Sequence, residues 1–192
     1  MLRFSTLGIC ALTAAFGGSA LPALADVVWS ADGAHSGVSL SVSHLLIARI
    51  TGAIPIVSAT IVTADAETVP LLIDAMLDAA ALNTGDPQRD AQLRGERFFD
   101  VSRFPKITFA SERVFETGHG TFHVEGELTM RGVTRPMTFD ARLVALRREA
   151  DGKQRVRYDA VGRFRRSDYG MTYARGIVGN EVTLNVTIEA VH

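Results

Sequence analysis

Alternation of apolar and polar residues constrains the fold of this chain more than any other feature of its sequence. In the segment 36–44, Val38, Leu40 and Val42 alternate with serines, and in the segment 182–189 four aliphatic residues alternate with polar ones. Successive side chains of a β-strand point to opposite faces of a sheet. Each such segment therefore predicts a strand with one buried and one solvated face. The alternation is clear in segments 36–44, 121–130, 137–143 and 182–189.

Less regular alternation and turn residues extend this pattern over most of the chain. Further strands are predicted at 54–63, 106–115, 155–165 and 27–31, with 47–52 as an extension of the second strand. Turn residues separate the strands at 118–120, 131–132, 151–152 and 179–180. Many strands with one apolar face, joined by short turns, indicate an antiparallel sandwich or a barrel. The sequence thus predicts an all-β protein.

One stretch departs from the alternation and predicts two helices inserted between the strands. Within 69–82 apolar residues recur at helical spacing, and Pro70 occupies the first turn. Asp86 and Pro87 then provide an N-cap and a first-turn proline for a second, short helix that ends at about Glu96. We expect both helices to pack across a mouth or a flank of the β-structure. The residues with helical spacing in the first helix are Leu71, Leu72, Ala75, Met76 and Ala79.

The first 25 residues have the features of a signal peptide. Arg3 provides a positive charge, an apolar stretch follows, and Ala23 and Ala25 are small residues of the kind that signal peptidase accepts. The alternative is a membrane anchor, but the apolar stretch is short and is interrupted by two glycines and a proline. We therefore expect residues 1–25 to be removed on export to the periplasm and residues 26–192 to form one domain.

The composition and the motifs disfavour several kinds of chemistry. Cys10 is the only cysteine and lies in the leader, which argues against disulfides and Cys-based metal sites in the mature protein. Basic and acidic residues number 20 and 21, a balance that does not favour nucleic-acid binding. His35 and His44 would face opposite sides of one strand, and no Gly-x-Ser-x-Gly or His-Glu-x-x-His motif is present. We expect a protein that is not an enzyme and has no metal and no nucleic-acid partner.

A basic stripe is predicted on the outer face of the late hairpin. Arg155, Arg157, Arg163 and Arg165 share a parity opposite to that of their apolar neighbours. Nine basic and three acidic residues lie within 142–166. The stripe is either a solvated strand face or a surface that attracts an anion or a membrane.

Four motifs in order along the chain carry a resemblance to a known family. They are RDAQLRGERFFD at 89–100, FPKITFAS at 104–111, LTMRGVTRP at 128–136 and FRRSDYGM at 164–171. Through these motifs the chain resembles the YceI-like proteins, bacterial periplasmic barrels of lipocalin-like shape that are associated with polyisoprenoid binding. The resemblance extends from about residue 26 to the C-terminus.

The resemblance implies an antiparallel eight-stranded lipocalin-like β-barrel that holds a polyisoprenoid lipid in its lumen. The lipid would be a polyprenyl quinone or a polyprenyl phosphate, bound without a covalent cofactor and without chemistry. Small residues with inward parity (Ala141, Ala160, Gly126 and Gly162) leave room for such a chain. The side chains expected to contact the lipid, with His44 or Tyr169 at its head group, are Val38, Leu40, Val42, His44, Met76, Phe98, Phe99, Phe109, Phe122, Leu128, Met130, Phe139, Phe164, Tyr169 and Leu184.

Two other functional hypotheses remain open at this point. In the first, side chains fill the lumen, and the protein is an interaction or stress-response module that uses the basic stripe Arg155–Arg165. In the second, the protein is an enzyme that modifies a lipid or a small acid, which requires a histidine and a carboxylate that converge inside the lumen. A transient contact with a membrane surface and a homodimer are compatible with each hypothesis.

Overall fold

A computed structural model describes residues 26–45, 47–64 and 68–192. The predicted signal peptide, with Cys10, lies outside the described residues. Strands dominate the described part of the chain, together with one α-helix and two short 3-10 helices. The predicted all-β class is therefore confirmed.

Ten strand segments build the fold, and eight of them coincide with the eight predicted strands. They are β1 (Asp26–Ala31), β2 (Gly37–His44), β3 (Ala48–Ile54), β4 (Ile56–Ala64), β5 (Pro70–Asp78), β6 (Lys106–Gly118), β7 (Thr121–Met130), β8 (Val133–Arg148), β9 (Gln154–Arg165) and β10 (Val178–Val191). The helix α1 spans Pro87–Arg94, and the 3-10 helices span Ala79–Ala81 and Arg166–Tyr169.

Eight of these strands close into an antiparallel barrel, as predicted. The order around the ring is β1, β4, β5, β6, β7, β8, β9, β10, and β1 returns to pair with β10. β2 pairs with β10 further along its length, and β3 pairs with β2, so the β2–β3 hairpin extends the wall. The segment 47–52 is thus not an extension of the second strand. The chain reverses after His44, with Leu45 at a φ of 51°, and β3 runs back beside β2.

The antiparallel pairing assigns each reversal of the chain to one of two ends of the barrel. The helix end carries the β2–β3 turn, the segment 79–105 with α1, the β7–β8 turn and the segment 166–177. The turn end carries the β6–β7 and β8–β9 turns, the end of β4 and the start of β5. The corner 32–36 does not reverse the chain, because β1 and β2 both run antiparallel to β10, and it lies in the wall beside Glu189.

Side chains complete the barrel wall at the corner between β1 and β2. β1 and β10 share two residue pairs, after which β1 ends. The Asp32 N–H donates to the carbonyl of Glu189 at 2.7 Å. The Ser36 hydroxyl donates to the same carbonyl at 3.1 Å and accepts from the Glu189 N–H at 3.0 Å. A hydroxyl thus takes the place of the missing strand partner of Glu189.

The segment predicted as the first helix is a strand, β5. It pairs with β4 on one side and with β6 on the other, so Ala75 and Leu77 face the interior while Met76 takes the opposite face. The alternation is hard to see in the sequence because outward positions of β5, such as Leu72 and Met76, are also apolar. Pairing with two neighbouring strands outweighs the local preference of these residues. The prediction of a helix over 69–82 is therefore wrong.

The second predicted helix is confirmed as α1. The Asp86 carboxylate accepts hydrogen bonds from two backbone N–H groups of the first turn, and Pro87 is the first helical residue. Both features are typical of a helix N-terminus. The helix ends at Arg94, two residues before the predicted end at Glu96.

Three of the four predicted turns connect strands, and the fourth does not. Residues 179–180 lie inside β10, which bulges between Val178 and Val182. The chain reverses earlier, within 166–177, where Gly170 and Gly176 adopt φ values of 77° and 83°. Gly and Asn mark bulges as well as turns, so the sequence alone does not separate the two.

The barrel lumen as the candidate functional site

An apolar cavity occupies the middle of the barrel. The inward faces of β2, β4 and the strands from β5 to β10 form its wall, and among the described residues Tyr158 supplies the one polar side chain in it. The free space between the lining side chains is about 790 Å³, including the part that opens toward solvent. The space is narrow. The centre of a sphere as large as a water molecule can occupy only about 80 Å³ of it without touching the wall. The cavity is therefore narrow and apolar, and it is called the tube below.

Bulky buried side chains fill the barrel on either side of this tube. Phe99 and Met130 are buried at the helix end, and Trp29 and Phe122 are buried at the turn end. None of the four borders the free space. An eight-stranded barrel has an interior that side chains can fill or that one slender ligand can occupy, and this barrel combines filled ends with an open middle.

Two of the small residues predicted to leave room accommodate aromatic rings instead. A Cβ atom at Gly162 would lie 2.7 Å from Cδ1 of Phe139, and one at Gly126 would lie 2.9 Å from Cζ of Phe109. The two rings pack edge to face, with their centroids 5.1 Å apart. Gly162 therefore makes space for Phe139, and Gly126 makes space for Phe109 and for the backbone of β6 at Ala110 and Ser111. The two rings narrow the tube.

The two alanines of that predicted set do border the free space. Ala141 and Ala160 are paired across β8 and β9, and both line the cavity. Because methyl groups are small, this pair leaves free space inside the barrel beside β8 and β9. The prediction of open space at these two positions is confirmed.

Tyr158 contributes no charge to the wall. Its hydroxyl donates to the backbone carbonyl of Thr68 at 2.7 Å, and burial raises the pKa of the phenol far above its usual range. The phenol is neutral at physiological pH, and its polar atom is already paired. The wall of the tube thus offers dispersion contacts along its length and no ion.

One third of the predicted lipid contacts border the cavity, namely Val38, Phe109, Leu128, Phe139 and Leu184. Others are buried beside it and help to fill the barrel ends, namely Leu40, Phe99, Phe122 and Met130. Val42 is half-buried near the helix end of β2.

Twelve lining residues were outside the predicted set of contacts. Those on β5 were missed because that segment was interpreted as a helix. Alternation could have found Val124, Val186 and Ile188, which share the parity of predicted neighbours. The twelve are Ile56, Ile61, Pro70, Ile73, Ala75, Leu77, Val124, Ala141, Tyr158, Ala160, Val186 and Ile188.

Three predicted contacts lie away from the cavity. Met76 is on the outward face of β5, and the structure contradicts its inward placement because that placement assumed a helix. His44 is the last residue of β2, at the helix end. The ring of Phe98 packs edge-on against Tyr173, with 5.7 Å between centroids, and is partly buried against the core without bordering the cavity.

The remaining two predicted contacts form a pair at the helix end. The rings of Phe164 and Tyr169 pack edge to face, 5.4 Å apart. Tyr169 is 2% exposed, and its hydroxyl has no hydrogen-bond partner among the described residues. Burial, and then the nearby Asp168 carboxylate, raise the pKa of this phenol to about 12. A buried hydroxyl without a partner is costly, so this atom marks a place where a polar group of a ligand could be satisfied.

The predicted basic stripe is partly neutralised by its own protein. Arg155 contacts Asp32 at 2.8 Å and Glu149 at 2.6 Å, and Arg157 lies 3.4 Å from Asp159. Arginines that already pair with carboxylates attract a partner less strongly than free ones. The half of the stripe formed by Arg155 and Arg157 is therefore a weak anion site, while Arg163 and Arg165 form no ion pair within the described part of the chain.

The described part of the chain contains no group of three His, Cys, Asp or Glu side chains that could hold a metal ion. Two histidine–aspartate pairs are present, His35 with Asp32 at 2.9 Å and His123 with Asp140 at 3.0 Å. Neither pair lines the lumen. No helix in this part of the chain has the length and the apolar character that a membrane span requires.

Known proteins share this architecture. A UPF0312 protein of Shewanella sp. (strain W3-18-1) is 28% identical over 167 residues, which are 87% of each chain. The crystal structure of BcnA from Burkholderia cenocepacia matches with a TM-score of 0.69 and 24% identity, over 84% of this chain and 99% of that one. A polyisoprenoid binding domain from Saccharophagus degradans matches with a TM-score of 0.58 and 15% identity, over 84% and 97%. These structural likenesses show a common fold.

Family membership follows from a match over almost the whole barrel. The family model of the YceI-like domain matches residues 29–190, from within β1 to the end of β10. The match contains every strand that lines the lumen. This chain therefore belongs to the YceI-like family.

Proposed function

We propose that this protein binds a polyisoprenoid lipid inside its barrel and carries it without changing it chemically. The observation that carries the proposal is the narrow apolar tube, whose wall has no ion and one paired hydroxyl. A structure of the same fold, from Saccharophagus degradans, is described as a polyisoprenoid binding domain. A binding protein needs no converging histidine and carboxylate in its lumen, and none of either type borders this tube.

The hydrocarbon tail supplies the driving force for binding. Each methylene that leaves water contributes about 0.8 kcal/mol, while association costs roughly 4–15 kcal/mol in lost freedom. A tail of a few isoprene units can therefore offset that cost. The tail needs no hydrogen bonds, which agrees with a wall that offers none.

Entry of the tail requires the lining side chains to move apart. Pockets that hold small molecules have volumes of about 300–1,000 Å³, whereas the centre of a water-sized sphere reaches about 80 Å³ of this tube. The rings of Phe109 and Phe139 and the aliphatic side chains around them would adopt other rotamers when the lipid enters. A single slender chain fits this geometry better than a fused ring system does.

The polar head of the lipid belongs at the helix end. Phe164 continues the inward face of β9 toward that end, and Tyr169 packs against its ring. The unpartnered Tyr169 hydroxyl could donate a hydrogen bond to a quinone carbonyl or a phosphate oxygen. His44 lies at the same end and is the second candidate.

A carrier of this kind has a clear use in the periplasm, which is where the predicted signal peptide would direct it. A polyprenyl quinone or a polyprenyl phosphate does not cross water unaided, because its tail is insoluble. A barrel that encloses the tail solves that problem. This location and these two lipid classes are part of the proposal.

The test combines extraction with a variant in which the tube is filled. Protein purified from its native compartment is extracted with organic solvent, and the extract is analysed by mass spectrometry; a polyprenyl lipid is the expected product. The variant Ala141→Leu/Ala160→Leu places larger side chains in the free space that the two alanines border. We expect it to fold and to lose binding of added polyprenyl quinone.

The matched control is Ala110→Leu, an exposed alanine on the outer face of β6. It should bind polyprenyl quinone as the parent protein does. Repeated recovery of an empty protein that also fails to bind added polyprenyl quinone would refute the proposal. Undiminished binding by the filled variant would move the lipid site out of the lumen.

A further inference from the structure

Four large apolar side chains are exposed on two neighbouring loops at the helix end. Ile47 is 91% exposed, and Leu45, Tyr173 and Ile177 are each about half exposed. They belong to the β2–β3 turn and to the segment that precedes β10, and the two lie side by side because the Leu45 N–H donates to the carbonyl of Ile177 at 2.8 Å. These four residues are called the apolar tip below.

The apolar tip differs from the other exposed apolar residues of the barrel. Val28, Val57, Val144 and Val161 are also about half exposed, but each lies within a strand and not on a loop at the end of the barrel. Single exposed apolar residues on a strand are ordinary. In contrast, exposed apolar side chains on two adjacent loops at the end of a barrel are typical of an interaction site.

Three arginines surround the apolar tip and lack salt bridges within the described part of the chain. Arg49 follows the β2–β3 turn, Arg175 lies within the second loop, and the guanidinium of Arg97 rests 4.6 Å from the ring centroid of Tyr173. The stretch 43–51 contains no acidic residue, and in the second loop the acidic residues Asp168 and Glu181 lie at the two ends, away from Arg175 in the sequence. The tip is thus apolar at its apex and basic at its rim.

A pocket beside the tip adds to the positive charge. Arg166 is buried there, and its guanidinium donates to the backbone carbonyls of Met171, Tyr173, Val178 and Gly179 without a carboxylate partner. Burial first, and then the nearby Arg175, lower the pKa of Arg166. Two guanidinium groups therefore lie close together with no carboxylate between them.

Several polar groups of this pocket are hydrogen-bonded within the protein. Besides Arg166, the Ser167 hydroxyl donates to the Asp168 carboxylate at 3.2 Å and accepts from the Asn180 amide at 3.0 Å. Ser43, Ser167 and Asn180 line the pocket together with Arg166 and Arg175, and it offers about 330 Å³ to the centre of a water-sized sphere. The Arg175 guanidinium and the Ser43 hydroxyl are the side chains here that would donate hydrogen bonds to phosphate oxygens. The chemistry beside the tip therefore matches a phosphate-bearing surface.

We propose that the apolar tip docks this protein on an anionic phospholipid bilayer. Leu45, Ile47 and Ile177 would enter the boundary between head groups and acyl chains, while Arg49, Arg97 and Arg175 would meet lipid phosphates. Amphipathic anchors of this kind combine apolar insertion with a basic rim. A stable protein interface involves roughly 20–30 residues on each side, far more than the tip presents, so a bilayer is the better occupant.

The inference goes beyond lipid binding in the lumen and does not rest on it. Ile47 and the rim arginines do not border the tube. Vesicle binding can therefore be measured on protein stripped of any lumen lipid. The filled variant Ala141→Leu/Ala160→Leu should bind vesicles as the parent protein does, which separates the two proposals.

The first experiment places a fluorescent reporter on the tip. Trp29 is the only tryptophan and is buried near the turn end, so its emission changes little on docking. The variant Ile47→Trp adds an exposed indole. With vesicles of phosphatidylethanolamine and phosphatidylglycerol, we expect its emission to shift to shorter wavelengths. With vesicles of phosphatidylcholine alone, or with the parent protein, we expect little shift.

The second experiment compares matched variants by co-sedimentation with the same anionic vesicles, using processed protein with a common N-terminus. Ile47→Ser/Ile177→Ser should weaken binding at least about tenfold. Arg49→Gln/Arg175→Gln should weaken it by about fivefold for each arginine removed. Each variant should keep the thermal midpoint of the parent, because these side chains are exposed.

The controls make the same changes elsewhere on the barrel. Val144→Ser/Val161→Ser and Arg147→Gln/Arg163→Gln lie on outward strand faces and should bind like the parent protein. No sedimentation of the parent protein with anionic vesicles, at low salt or at 0.15 M salt, overturns the proposal. An equal loss in the tip variants and the control variants also overturns it, because binding would then follow total charge or hydrophobicity.

Discussion

At the turn end of the barrel, the indole N–H of Trp29 donates to the Thr63 hydroxyl at 3.0 Å, and both side chains are almost completely buried. At the helix end, the Arg166 guanidinium donates to four backbone carbonyls and holds the segment before β10. Alternation predicts that Trp29 and Thr63 face inward only if their strands are paired in register. The sequence therefore does not single out either polar contact.

Removing the partner of the Trp29 indole should destabilise the protein. Thr63→Val keeps the shape of the side chain and removes the hydroxyl that accepts the bond. We expect the free energy of unfolding to fall by about 1–3 kcal/mol, measured by urea denaturation. Thr60→Val, on the same strand but half-buried, should change it by less than about 0.5 kcal/mol. Equal losses in the two variants would contradict this account.

Replacing Arg166 should have a larger effect, because four backbone carbonyls lose a charged donor together. Arg166→Met should lower the free energy of unfolding by at least about 3 kcal/mol. Arg166→Lys should restore only part of that loss. The ammonium group keeps the positive charge, but it cannot donate to several carbonyls in the fork geometry of a guanidinium. Arg165→Met, at the exposed neighbouring position, is the control. A loss below about 1 kcal/mol in Arg166→Met would show that the contacts are not important for stability.

At the scale of strands, the closing corner of the barrel depends on charged side chains as well as on backbone pairing. Arg155 on β9 contacts Asp32, just beyond β1, at 2.8 Å, and Glu189 on β10 at 3.5 Å. The hydrogen bond from Arg155, followed by contacts with His35 and the Ala34 N–H, holds the pKa of the Asp32 carboxyl well below its usual range. The corner is therefore sensitive to acid.

The sign of this pH dependence follows from the lowered pKa. Asp32 titrates at about 3.9 in the unfolded chain and lower in the folded one, so its contribution is complete above about pH 5 and is lost as the pH falls further. Asp32→Asn should be less stable than the parent protein at pH 7, and the two curves should converge toward pH 2. The measurement is urea denaturation at several pH values. Asp74→Asn, on an exposed aspartate of β5, should run parallel to the parent; a parallel curve for Asp32→Asn would disprove the role of this pair.

β5 shows where sequence reasoning failed and why. Leu71, Leu72 and Met76 gave this segment a helical spacing, yet all three are at least partly exposed on a strand. A helix and a strand with apolar residues on both faces have similar local patterns. Pairing with β4 and β6 on either side makes this segment a strand. The identity of these two neighbours is known only from the three-dimensional fold. The Asp86–Pro87 signal for α1 is local, and it predicts the start of this helix correctly.

For the whole molecule, alternation and the family motifs were sufficient to predict a closed eight-stranded barrel. They predicted less well which inward residues border free space. Parity tells that Phe122 and Leu128 both face inward, but only Leu128 borders the tube, since Phe122 lies nearer the turn end. The level of a residue along the barrel axis depends on strand stagger, which a single sequence does not reveal.

The pairing of β1 with β10 has a consequence for how the chain acquires its structure. Contacts between the two ends of a sequence have the largest separation possible, and folding slows as the mean separation of contacts rises. A chain that emerges from its N-terminus cannot shut its wall until β10, the last strand, is available. Until then the apolar inner faces of the earlier strands are exposed to water, and the nascent chain has to be protected from aggregation.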